Sequence, residues 1–234
     1  MTEAEWLACE EPETLVAFLR TRASPRKARL LAAALCRHVL PLVGAECGRR
    51  AVAVAEHHAD GLATLESMLA ASEQVADAYV ALPNPGPVNT DPPLAFKAES
   101  VALQATRFLT RDADDYLEAC CRCTHLAALR WVLLRAGSGE AVAPYTTLVR
   151  WQRSLIYEVA GSPFRPVDTD LWRTSTVVAL AEGIYRGGAF DRLPILADAL
   201  QDAGCENEVV LAHCRGDGTH VKGCWVIDLL TGRV

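Results

Sequence analysis

The chain has 234 residues and carries 29 acidic against 23 basic side chains, a net charge of −6, and this length allows one compact domain or two packed helical halves. Hydrophobic residues make up 51% of the sequence but aromatic residues only 6%, and an apolar content dominated by Ala, Leu and Val favours packed helices over a β-sandwich. No apolar run approaches the roughly 18 residues of a membrane span. The acidic start MTEAEWLACEEPE lacks the basic and apolar regions of a secretory signal. We therefore expect a cytoplasmic protein without a membrane partner.

The N-terminal third of the chain predicts helices with clear start and stop signals. Thr2 precedes a short helix as its N-cap, and Ser24 is a second N-cap because Pro25 occupies the first helical position after it. Gly61 marks the end of a later helix, since glycine is favoured just past a helix C-terminus. The longer helices predicted in this region cover residues 13–22, 26–40, 47–59 and 64–81.

The clearest break is the segment LPNPGPVNTDPP at residues 82–93, which holds five prolines in twelve residues. Proline at this density excludes regular helix and forces extended or turn geometry, which predicts a linker or an ordered surface loop. We therefore predict a helical region at 1–81, the proline-rich segment at 82–93 and a second helical region at 94–234. The same organisation also permits one compact domain.

The C-terminal part again reads as helices. Residues 112–136 open with three aspartates, which the positive end of a helix favours. The final apolar run at 224–230 is compatible with helix or strand. The other helices predicted here cover residues 94–109, 147–160, 175–185, 191–203 and 206–214. The sequence thus predicts an all-α fold of roughly nine to eleven helices, either a multi-helix bundle or an irregular helical array with a break near 82–93.

A basic region lies between residues 20 and 50, where eight basic side chains accompany one acid, Glu46. Such an asymmetry predicts an anionic partner, first an acidic protein surface, then nucleic acid, or the acidic remainder of the same chain. A solvated helix face whose charges pair within the chain explains the same pattern, because no nucleic-acid motif accompanies it. The candidate partner-binding residues are Arg20, Arg22, Arg26, Lys27, Arg29 and Arg37.

The segment CENEVVLAHCRGDGTHVKGCW at residues 205–225 contains three of the nine cysteines and two of the six histidines. Cys205, His213, His220 and Cys224 offer two thiolates and two imidazoles, a tetrahedral set that suits zinc, and the glycines among them let the backbone fold around one point. A packed core explains the same residues, with histidines bonded to backbone and cysteines filling gaps. We expect Cys214 to point away from such a metal, because neighbouring side chains on a helix diverge.

Two other groupings of cysteines suggest alternatives to the zinc site of residues 205–225. A nucleophilic cysteine, Cys224 or Cys214, can be activated by a histidine of the same segment and oriented by Asp217 or Asp228, but nucleophilic chemistry needs an exposed, electropositive thiolate. The segment CCRCTH at residues 120–125 places a cysteine and a histidine four residues apart on one helix face, which permits two metal ligands or simple helix packing.

Both ends of the chain resemble a bacterial family. The N-terminal segments TEAEWLACEEPETLVAFLR and SPRKARLLAAALCRHV and the C-terminal segments FDRLPILADALQDAGC and HVKGCWVIDLL are similar to those shared by a paralogue family of planctomycete bacteria. The resemblance implies a large paralogue set of the kind that accompanies signalling, partner recognition or conflict systems. It implies no activity, cofactor or catalytic residue.

The sequence leaves two classes of function open. The favoured prediction is a non-enzymatic helical interaction or adaptor module that binds an acidic partner through the basic region, because no complete catalytic signature is present. The alternative is a metal- or cysteine-dependent enzyme centred on His213, His220 and Cys224. If the cysteine- and histidine-rich segment binds a metal, zinc is the ion that its thiolates and imidazoles favour.

Overall fold

The computed structural model describes residues 1–43, 46–82, 94–110, 116–137 and 145–233, and within these ranges it is built from α-helices with no strand. This confirms the all-α prediction. No helix among the described residues is long and apolar enough to cross a membrane. The twelve α-helices in the described ranges are α1 Glu3–Ala8, α2 Pro12–Leu19, α3 Pro25–Val39, α4 Glu46–Ala59, α5 Leu65–Val80, α6 Leu94–Leu109, α7 Tyr116–Gly137, α8 Tyr145–Ala160, α9 Ser175–Gly187, α10 Leu193–Asp202, α11 Glu208–Arg215 and α12 Trp225–Thr231.

The helix ends follow the local signals of the sequence. Thr2 forms a capping box with Glu5, and the Ser24 hydroxyl accepts a hydrogen bond from the backbone N–H of Lys27, as its N-cap role predicts. Gly61 follows α4 with φ of +73°, the left-handed conformation that glycine adopts without steric cost. The apolar run at 224–230, which the sequence left undecided, is helical.

The chain divides into two compact units, Met1–Arg153 and Ser154–Val234. The division falls inside α8, whereas the sequence placed the break at 82–93, a segment of which only Leu82 is among the described residues. Helix α5 precedes the prolines and packs against α6, which follows them. The helices on either side of the proline-rich segment therefore share one core.

The first unit is built around α3, α6 and α7. Helices α6 and α7 pack along each other, and α3 packs against both of them and against α4. Small residues on α3 are fully buried, which lets neighbouring helix backbones approach closely. Part of the core of this unit is formed by Val39, Val43, Ala51, Ala71, Val75, Val101, Ala102, Leu103 and Ala127.

The second unit packs α9 against α10 and α12, while α11 contacts α10 and α12. The Thr174 hydroxyl caps α9, and the Asn207 side chain accepts hydrogen bonds from the backbone N–H groups of Val209 and Val210. The starts of α9 and α11 are therefore fixed by local contacts. The apolar cluster brings the end of α11 next to the start of α12. Its buried members include Val177, Ala181, Ile184, Leu193, Leu196, Leu200, Val210, Val226, Ile227 and Leu230.

Candidate metal centre

Four side chains of the second unit converge from separate parts of its sequence. Glu158 lies in the last turn of α8, His213 in the last turn of α11, and Cys224 is the N-cap residue of α12. His220 lies in the loop between α11 and α12. Each contributes one potential ligand atom, and these atoms all lie within 4.8 Å of one another.

The Glu158 carboxylate is the centre of the group. Its Oε2 lies 3.1 Å from Nδ1 of His220 and 3.3 Å from Nε2 of His213. The same Nε2 lies 3.2 Å from Sγ of Cys224. Oε1 of Glu158 is 3.4 Å from the backbone N–H of Val221, which donates to it. The loop that follows α11 is thus tied to α8 by both a side chain and its own backbone.

Burial shapes the protonation of the group. Cys224 is 0% exposed, and the side chains of Glu158 and His220 are 5% and 9% exposed. Burial raises the pKa of the Cys224 thiol well above its ordinary value, and the nearby Glu158 carboxylate raises it further. Burial also lowers the pKa of His213, with Glu158 opposing it. For His220 burial opposes the charge, but the hydrogen bond and charge of Glu158 outweigh it and raise the pKa.

An indole completes the surroundings of His213. The Nε1–H of Trp225 donates to Nδ1 of His213 at 3.1 Å, and the two rings meet edge to face with centroids 5.1 Å apart. Gly161, which follows α8 with φ of +60°, lies beneath the indole, and a Cβ at this glycine would come within 2.9 Å of Cγ of Trp225. Only a residue without a side chain fits this close approach.

The donor set can hold a metal ion. Tetrahedral zinc binds nitrogen and oxygen at about 2.0–2.2 Å and sulfur at about 2.3 Å, which places neighbouring ligand atoms about 3.3–3.6 Å apart. Three of the separations in the group, His213–Glu158, His220–Glu158 and His213–Cys224, are 3.1–3.3 Å and close to these edges, and the other pairs lie within 4.8 Å. A carboxylate, two imidazoles and a thiol thus converge closely enough that side-chain movements can bring them around one ion.

The structure brings together three of the four residues that the sequence predicted as ligands, and places Glu158 rather than Cys205 beside them. Cys205 follows α10, where its N–H bonds to the Leu200 carbonyl and the N–H of Gly204 bonds to the Gln201 carbonyl. This pair of bonds is a Schellman motif, and the residue after its glycine packs on the helix it terminates. Cys205 accordingly lies in the apolar cluster of the second unit.

Cys214 is also outside the converging group, in agreement with the expectation that it would not share a metal with His213. Its thiol is fully buried, and burial raises its pKa to about 12, with a further contribution from Glu158. Neither this thiol nor that of Cys224 is the exposed, electropositive thiolate that nucleophilic catalysis requires. Of the predicted orienting carboxylates, Asp217 is exposed and Asp228 is buried, and it is Glu158 that contacts the histidines.

The segment at 120–125 is engaged in packing within the first unit. The thiols of Cys120 and Cys121 are fully buried, and the Cys120 thiol donates to the Ala105 carbonyl on the neighbouring helix. Nδ1 of His125 lies 2.9 Å from Oε1 of Gln152. Helix packing therefore explains the cysteines and the histidine of residues 120–125.

The basic candidates of residues 20–50 are largely engaged within the first unit. The guanidinium of Arg37 donates twice to Glu56 at 2.7 Å, which raises the pKa of the arginine. Arg29 is 7% exposed and donates to the Leu109 carbonyl. Three further candidates have side-chain partners: Arg20 with Glu118, Arg22 with the carbonyl and ring of Phe18, and Arg26 with Asp60. The backbone N–H of Lys27 donates to the Ser24 hydroxyl as part of the helix cap.

Comparisons of the whole chain with protein-family models, with curated proteins and with solved structures give no match. The residues themselves define the class: a helical protein with a group of one glutamate, two histidines and one cysteine that could hold a metal ion.

Proposed function

We propose that Glu158, His213, His220 and Cys224 bind one zinc ion, and that this ion fastens the C-terminal unit of a non-enzymatic helical interaction module. The observation that carries the proposal is the convergence of four ligand atoms within 4.8 Å from α8, α11, the following loop and the start of α12.

Zinc is favoured by the chemistry of the donors. Thiolate and imidazole select borderline-soft ions such as zinc, and a single carboxylate is a common companion, whereas calcium and magnesium prefer oxygen alone. On binding, the ion would replace the proton of the Cys224 thiol, since a coordinating thiol is deprotonated even where burial opposes the thiolate.

The role is structural because four protein ligands fill a tetrahedral shell. A catalytic zinc site keeps one position for water or substrate, and a site with four protein ligands leaves none. The alternative, a metal-dependent enzyme centred on His213, His220 and Cys224, requires Glu158 to leave the ion and water to take its place. The hydrogen bond from the Val221 backbone to Glu158 opposes such a departure.

The partner of the module remains the acidic surface that the charge of residues 20–50 favours. The excess of basic over acidic residues between positions 20 and 50 supports an acidic partner, and Arg22 and Arg50 of this region are exposed in the first unit. Arg26 and Arg29 are held by contacts inside the unit and are better regarded as parts of the fold. The resemblance of both chain ends to planctomycete paralogues favours a signalling or conflict-type system as the setting.

Elemental analysis of protein purified without added metal tests the zinc site. We expect about one zinc per chain, loss of this zinc in Cys224→Ser, and retention in Cys205→Ser. The two thiols are a matched pair, since both are buried in the same apolar cluster and only Cys224 belongs to the converging group. Metal-free wild-type protein whose melting temperature is unchanged by chelator would reject the proposal.

A further inference from the structure

The hydrogen bond between Trp225 and His213 fixes which ring nitrogen of the histidine carries a proton. An indole N–H can only donate, so Nδ1 of His213, 3.1 Å away, must accept with its lone pair. In a neutral imidazole the proton is then on Nε2. Both acceptors within reach of that proton, Sγ of Cys224 at 3.2 Å and Oε2 of Glu158 at 3.3 Å, lie on the Nε2 side of the ring.

The orientation of the ring is determined by contacts on both sides. Rotating the imidazole by half a turn would place carbon atoms where Nδ1 meets the indole and where Nε2 meets Glu158, and would remove every hydrogen bond of the ring. Trp225 itself has little freedom, since it is 8% exposed and packs directly on the backbone of Gly161. The tautomer therefore follows from the packing of this corner of the unit.

Ligation by Nε2 requires the opposite arrangement. A neutral histidine that binds a metal through Nε2 carries its proton on Nδ1, and in most metal sites this N–H donates to a carboxylate, a carbonyl or water. Here the neighbour of Nδ1 is a donor, so two N–H groups would face each other. The hydrogen bond from Trp225 and metal ligation by Nε2 of His213 exclude one another.

We propose that Trp225 is a positioning residue that competes with the metal for His213 and thereby lowers the affinity of the site. The inference rests on the proposed zinc site and adds to it a hydrogen bond that opposes ligation by His213. Ligation of zinc by Nε2 would require the proton of His213 on Nδ1, so the imidazole would have to give up its hydrogen bond with the indole. Trp225 then reports on occupancy through its fluorescence.

The test is a zinc titration against a chromophoric chelator with wild type, Trp225→Phe and, as a matched control, Trp172→Phe. Trp172 packs on the same apolar cluster and is not a member of the converging group. Phenylalanine keeps an aromatic ring but has no N–H to donate, so we expect Trp225→Phe to bind zinc about 2- to 10-fold more tightly, the factor that one net hydrogen bond contributes. The control should bind zinc as wild type does.

A second measurement reads the tautomer directly. Long-range ¹H–¹⁵N spectra of wild-type protein treated with chelator should show Nδ1 of His213 unprotonated and Nε2 carrying the proton. A proton on Nδ1, or zinc affinity in Trp225→Phe that is equal to or weaker than in wild type, overturns the inference while leaving the zinc site intact. Absence of zinc binding in all three proteins overturns the proposed function and the competition together.

Discussion

Replacing Gly161 with alanine tests the close packing behind the candidate metal centre. The residue has φ of +60°, and the added Cβ would lie 2.9 Å from Cγ of Trp225. Left-handed backbone costs an alanine roughly 1–2 kcal/mol, and overpacking against a buried ring costs a further 1–3 kcal/mol or so. We therefore expect Gly161→Ala to lower the free energy of unfolding by about 2–5 kcal/mol.

Gly188 provides the matched control for this change. It also follows a helix, with φ of +61°, but a Cβ there would meet nothing within 4 Å. Gly188→Ala should then cost only the backbone term, about 1–2 kcal/mol. Urea denaturation followed by circular dichroism and tryptophan fluorescence measures both variants. Equal destabilisation by the two alanines would refute the contact between Gly161 and Trp225.

Three further predictions concern the stability of the two units. Asn207→Ala removes the cap that accepts from two backbone N–H groups at the start of α11, and should cost about 1 kcal/mol in urea denaturation. Arg26→Ala leaves Asp60, whose side chain is 10% exposed, without the guanidinium 3.1 Å away and should cost about 3 kcal/mol. The half-exposed Arg49 is its control, and its replacement should cost less than about 0.5 kcal/mol. The His38 ring stacks on Trp151 with centroids 3.7 Å apart, and its partial desolvation lowers its pKa below the ordinary 6.5. The unfolded chain therefore binds this proton more readily, and stability is lost as pH falls below about 6.5. His38→Gln should show a smaller loss of stability between about pH 8 and about pH 5.5 than wild type, and an identical pH dependence would contradict the assignment.

The sequence predicts most of the fold because helix starts and ends are local properties. Ser24 with Pro25 and Gly61 act within a few residues of themselves: α3 begins at Pro25, and α4 ends at Ala59, just before Gly61. The division of the chain is not local. It depends on which helices pack together, and the packing of α5 on α6 across residues 82–93 cannot be read from the density of prolines.

The candidate site was only partly accessible to sequence reasoning for the same reason. His213, His220 and Cys224 lie close together in the chain, so their spacing was visible, whereas Glu158 comes from α8 and reaches them only through tertiary packing. One signal for it exists in the sequence: Glu158 lies between Leu155 and Val159, an acid beside the apolar positions of a predicted helix. The signal against Cys205 was Gly204, because a cysteine after a helix-ending glycine is the packing residue of a Schellman motif.

The ligand set of the zinc-loaded protein is the most direct test of the central claim. X-ray absorption spectroscopy counts sulfur separately from nitrogen and oxygen around zinc, since zinc–sulfur bonds of about 2.3 Å are longer than zinc–nitrogen bonds of about 2.0–2.1 Å. Coordination by Glu158, His213, His220 and Cys224 predicts one sulfur and three lighter ligands. Two sulfurs would mean that a second cysteine enters the shell and would contradict the site described above.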